Sequence, residues 1–255
     1  MEERATRRRR RRGLSQKWLK IIGLTLLAGS MVGTAVVQKD MPADLAEAGL
    51  GRLSAAVVLE AASWAAAPIY AHLVCAGFRH TRSAWRYGLR LALLAIICEV
   101  PYDLATSGRA WDMTSQNPVF AVLVSLVVLA LGASGARLQA GSRLGRAGLW
   151  AALGVAGALW LVFFNVGLRL GVMPVGLEVL VFTLVFWLLR TRQNTMMLVG
   201  GGIGALAGVF PALGFVFVHF DNGRPGLRGW PQRRIFYALY PLCLAVAGAY
   251  RALAP

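Results

Sequence analysis

The chain has 255 residues, 57% of them hydrophobic and only 15% charged, with a mean hydropathy of +0.59. Soluble domains carry roughly 45–50% apolar and about 25% charged residues, so an ordinary water-soluble fold is excluded. The formal charge of +16 could suggest nucleic acid. However, nine of the 27 Lys and Arg lie in the first 20 residues and most others in short gaps between apolar runs. That distribution marks the cytoplasmic flanks of membrane spans.

Residues 1–18 form a basic tail, and its block Arg7 to Arg12 reads as a solvated, disordered arm. Such a block gains about 1 kcal/mol per basic residue beside anionic lipid, and no nucleic-acid partner is expected. The apolar run from Ile21 to Val37, followed by Ala46-Glu47-Ala48, imitates a cleaved leader. The intervening polar stretch is too long for that pattern, so the run is read as the first span.

A span needs about 20 apolar residues. Eight runs meet this closely enough to be predicted as helices: 19–37, 53–76, 87–104, 118–134, 147–166, 170–190, 196–219 and 233–252. Turn signals separate them, among them Ser107-Gly108 and Asn222-Gly223. The expected fold is an all-α, polytopic transmembrane bundle of about eight spans, with 19–252 as one membrane domain.

Basic residues set the orientation. With the N-terminus inside, the tail, Arg79 to Arg90, Arg137 to Arg146, and Arg190 with Arg192 are cytoplasmic. An even span number then puts both termini in the cytoplasm of a multi-pass cell-membrane protein. Arg224, Arg228, Arg233 and Arg234 break the rule, because this count leaves them in an outer loop.

Gly200, Gly204 and Gly208 imitate a nucleotide loop, but no strand precedes them in an apolar run. They read as a flat stripe for close helix packing. Cys75, Cys98 and Cys243 all fall in apolar runs and fit no zinc or redox spacing. They read as packed thiols, and no metal site is expected.

Ionisable groups inside apolar runs cost roughly 2.5–3.5 kcal/mol each by insertion scales, so they are the functional candidates. Glu60, His72, Glu99, Glu178 and His219 are expected to face the bundle interior, with Asp103 and Asp221 at span ends. Glu99 and Asp103 are four apart, hence on one helical face. Pro101 between them opens the backbone ladder, so the pair suits a general base or a proton carrier. Near the predicted cytoplasmic end, His80 stands among Arg79, Arg82, Arg86 and Arg90. That cluster suits phosphate binding, or simply sets topology.

Several segments occur in a fixed order: Leu19-Lys20-Ile21-Ile22, Pro68-Ile69-Tyr70-Ala71, Gly77-Phe78-Arg79-His80-Thr81-Arg82, Tyr87-Gly88-Leu89-Arg90-Leu91, Glu99-Val100-Pro101-Tyr102-Asp103-Leu104, Gln116-Asn117-Pro118-Val119-Phe120, Asp221-Asn222-Gly223 and Phe236-Tyr237-Ala238-Leu239-Tyr240-Pro241-Leu242. From about residue 17 to 252 this set resembles the TraX family, named for the conjugal-transfer protein that acetylates F-type pilin. The resemblance implies a membrane-embedded acyltransferase that draws acetyl-CoA from the cytoplasm and passes acetyl to an acceptor, whether protein, glycan or small molecule.

On that reading Glu99 or Asp103 is the catalytic base, and His80, Arg82 and Arg90 hold the CoA pyrophosphate. Gln116, Asn117 and Tyr240 contact the substrate. The chain departs from the family pattern at Ser30-Met31, Trp64, Ala76 and Cys243, where the resemblance implies ionisable groups. Two other functions therefore stay open. One is a silent relative acting as a membrane partner or assembly protein. The other is a small-solute transporter with Glu60, Glu99 and Glu178 as a relay, although no internal duplication supports it.

Overall fold

A computed structural model describes residues 13–37, 49–138, 142–169, 173–226 and 230–253. Most of the basic tail, the triplet Ala46-Glu47-Ala48, and Arg228 lie outside the described residues.

Helix follows helix along the apolar runs. α1 (Gln16–Val32) passes into a π-helical turn (Gly33–Val37), and α2 (Leu50–Ser63) runs on into α3 (Ala66–His80) through Trp64-Ala65, both with helical backbone angles. α4 (Ala84–Ser107), α5 (Val119–Leu138), α6 (Arg143–Phe163) and α7 (Val175–Leu188) follow. α8 (Gln193–Ala207), α9 (Val209–His219) and α10 (Trp230–Leu253) complete the bundle. Sequence chemistry sets several ends. Ser83 and Ser142 accept the backbone N–H of Arg86 and Gly145, capping α4 and α6. Gly108, at φ 74°, closes α4 in the left-handed conformation. Between α6 and α7 the chain makes a short hairpin, β1 (Leu168–Arg169) against β2 (Met173–Pro174), with Leu168 opposite Pro174.

Among the described residues, five stretches are long and apolar enough to cross a membrane: Gln16–Ala35, Leu50–His80, Val119–Leu138, Arg143–Phe163 and Ile235–Leu253. α7 and α9 are shorter apolar helices. One core gathers Ile69, Val74, Leu126, Leu129, Leu180, Phe182 and Phe215 from α3, α5, α7 and α9. A second joins α1, α4 and α10 through Met31, Cys98, Tyr102, Tyr240 and Leu244. Large apolar side chains meanwhile cover the outside: Phe163 is 80% exposed and Leu206 91%. A surface of that kind is built to face something other than water.

Two expectations are corrected. The run 196–219 is not one span, because Gly208 takes φ 147°, a conformation open mainly to glycine, and the chain folds back there. A Cβ on Gly204 would stand 3.1 Å from the Ala212 nitrogen, and one on Gly200 would collide with Phe215. α8 and α9 are therefore an antiparallel hairpin that enters and leaves at the same end of the bundle. Phe220 and Asp221 in turn lie beside Leu14, whose N–H donates to the Phe220 carbonyl at 2.8 Å.

The second correction follows from the first. α10 starts at the N-terminal end of the bundle and runs parallel to α4, with Gly248 against Pro101 and Leu104 and Arg251 on the Ala105 and Thr106 carbonyls. The start of α1 and the end of α10 thus lie at opposite ends of the bundle, not on one side. The loop bearing Arg224 joins the end that carries Arg82, Arg86 and Arg90, and for Arg224 the anomaly in the charge count disappears.

Candidate functional site

A cavity of about 970 Å³ runs between α1, α3, α4 and α10, with α5 and α7 closing its inner wall. α1 contributes Gln16, Lys20, Leu24, Leu27, Ser30, Met31 and Thr34, a stripe at helical spacing. α4 contributes residues from Arg86 to Thr106, about 30 Å of rise at 1.5 Å per residue. The cavity therefore extends along most of the bundle.

Its two ends differ in chemistry. The mouth holds Lys20, His80, Arg82, Arg86 and Arg90, with Gln16, Thr81, Ser83, Tyr87 and Tyr237. No carboxylate is among the described lining residues, so the mouth is a concentrated positive field. The deep part is lined by Leu24, Leu27, Leu91 and Leu94, and the far end by the hydroxyl-bearing residues Ser30, Thr34, Ser63, Tyr102 and Thr106. The start of the chain helps shape the mouth. Gln16 N–H donates to the Arg224 carbonyl at 2.9 Å, and Asn222 N–H to Leu14. His72 meets Asp221 at 2.8 Å and so ties α3 to that segment.

His80, Arg82, Arg90 and Tyr240 line this one cavity, so four of the sequence candidates come together. Glu99, Asp103, Gln116 and Asn117 do not line it. Asn117 donates both its backbone N–H and its side-chain amide to Glu99 Oε2. Its own Oδ1 accepts the Val119 N–H at 3.0 Å, which caps α5. Asp103 Oδ2 accepts the Asp112 N–H at 2.9 Å, and no hydrogen bond joins Asp103 to Glu99. Gln116 pairs through its backbone with Asn165 and Gly167. Glu99, Asp103 and Asn117 thus hold the loop 108–117 against α4, and Gln116 pins it to the segment after α6.

The other ionisable groups divide. Glu60 is 1% exposed and accepts from Ser30 Oγ at 2.8 Å and from Trp64 Nε1 at 3.4 Å. Glu178 is buried, with neither oxygen hydrogen-bonded among the described residues. His219 is exposed, contrary to expectation, with its ring edge on Phe220. Ser30, Met31 and Ala76, three positions where ionisable side chains were implied, line the cavity. Sequence reasoning missed Lys20, Ser63 and Thr106 as lining residues. For Lys20 the signal was available: positions 16, 20, 24, 27, 31 and 34 repeat at helical spacing.

A helical bundle with an apolar exterior and a cationic-mouthed internal cavity is of the membrane type. The chain belongs to the TraX family: the family model described as TraX protein matches residues 15–251. Comparison with curated proteins and with solved structures returned no match.

Proposed function

We propose that the chain is a multi-pass membrane acyltransferase that accepts acetyl from acetyl-CoA at the basic mouth and passes it to an acceptor reached through the cavity. The observation that carries this reading is the polarity of the passage: four cationic side chains and His80 at one end, hydroxyl-bearing residues at the other, apolar wall between. Phosphates favour such a mouth because charge-assisted hydrogen bonds to Lys and Arg are strong. The acyl-bearing arm, which is uncharged, suits the leucine-lined stretch. The mouth end also collects Arg79 to Arg90, Arg137 to Arg146, Arg190, Arg192 and Arg224, which supports its lying in the cytoplasm. The N-terminus is then cytoplasmic and the C-terminus on the far side. In this arrangement Glu99 and Asp103 position the end of α4 and do not touch substrate.

Membranes from cells with and without the chain, supplied with radiolabelled acetyl-CoA, test the reading. Label should pass to a membrane or far-side acceptor only when the chain is present, and Arg82→Ala with Arg90→Ala should remove it. Equal labelling with and without the chain would leave the silent-partner reading, which the neutral lining at Met31 and Ala76 favours.

A further inference from the structure

Ser30 and Glu60 meet where α1 crosses the junction of α2 and α3. Ser30 lines the cavity, and its Oγ donates to Glu60 Oε2 at 2.8 Å. Trp64 Nε1, one helical turn beyond Glu60, holds the other carboxylate oxygen at 3.4 Å, and Ser63 Oγ donates to the Glu60 carbonyl at 2.7 Å. A hydroxyl within hydrogen-bond reach of a base, with a third group orienting that base, is the arrangement of an activated nucleophile. Depth agrees. Lys20 and Ser30 line one cavity from one helix, ten positions or about 15 Å apart. That is the reach of roughly four to five residues of extended chain, comparable to the arm between the phosphates and the sulfur of CoA. Glu60 also reaches the passage through a lining side chain, whereas Glu99 and Asp103 are engaged elsewhere.

We propose that Ser30 carries the acyl group as an ester during transfer, with Glu60 as its base; this rests on acetyl-CoA being the donor. Ser30 Oγ attacks the thioester carbonyl and its proton passes to Glu60 Oε2. The C–S bond breaks, and the departing thiolate takes that proton to leave as CoA thiol. In the second half an acceptor hydroxyl or amine attacks the Ser30 ester and gives its proton to Glu60. Glu60 returns it to Ser30 Oγ as the acyl group leaves. No oxidant or further reactant is needed.

Two half-reactions imply that the full-length protein, without any acceptor, exchanges label between acetyl-CoA and free CoA. Wild type should catalyse this exchange, and Ser30→Ala should abolish it while acetyl-CoA binding stays unchanged. Glu60→Gln should slow it about a hundredfold or more. Ser30→Cys should accumulate label as a thioester released by neutral hydroxylamine, which keeps the test sound if the alanine variant is poorly folded. Exchange that persists in a folded Ser30→Ala protein would overturn the proposal. So would acetyl transfer to an acceptor with no exchange, and that result would leave the acyltransferase reading standing. A wild-type protein that binds no acetyl-CoA would defeat both.

Discussion

Leu14 and Asp221 stand side by side in parallel register, joined through the Leu14 N–H on Phe220 and the Asn222 N–H on the Leu14 carbonyl. This contact fixes the end of α9 beside the start of α1, so α10 must begin there and finish at the opposite end, where Arg251 caps the α4 carbonyls. Reporter fusions after Leu253 and ahead of Gly13 should therefore report opposite faces of the membrane. A C-terminal reporter on the same side as the N-terminal one would contradict the hairpin at Gly208.

The hairpin depends on close approach. A Cβ on Gly214 would fall 2.3 Å from the Ala65 carbonyl oxygen and 2.4 Å from Pro68 Cγ, whereas one on Gly201 meets nothing within 4 Å. Backbone cannot give way as a side chain can. Gly214→Ala should cost about 1–3 kcal/mol, read as a lowered melting temperature in detergent. Gly201→Ala should be neutral or slightly stabilising, since alanine favours helix. Equal behaviour of the two variants would count against the α3–α9 packing.

Glu99 and Asn117 make a purely local prediction. Asn117→Ala removes both the side-chain donor to Glu99 and the cap on Val119, and a polar group left without its partner costs about 1–3 kcal/mol. Stability should fall while acetyl-CoA affinity holds. An affinity loss at unchanged melting temperature would return Glu99 to the binding site.

Much of this was legible in the sequence, and the failures have physical causes. Hydropathy located the helices because each must bury or expose an apolar surface. It could not split 196–219, since a span and two short helices turned at Gly208 have the same apolar run length. The four-residue glycine spacing was read rightly as close packing at Gly200 and Gly204, but its third member is the turn itself. The misplaced arginines, Arg224 foremost, were the one trace of that turn in the sequence. The Glu99-Pro101-Asp103 cluster suggested chemistry because nothing local shows that Asn117 and the Asp112 N–H take up those carboxylates. The mouth cations were found, since clustered charge is visible without coordinates. Ser30 was passed over because its significance lies in Glu60, thirty residues away.

The central claim is that the cationic mouth binds the phosphates of acyl-CoA. Equilibrium binding of acetyl-CoA to the full chain in nanodiscs, compared with acetyl-pantetheine, which has no phosphates, tests it most directly. Acetyl-CoA should bind far more tightly, weaken as salt rises because ion-paired contacts are screened, and lose that advantage in the Arg82→Ala, Arg90→Ala double variant. Equal, salt-independent binding of the two compounds, or no binding of either, would contradict it.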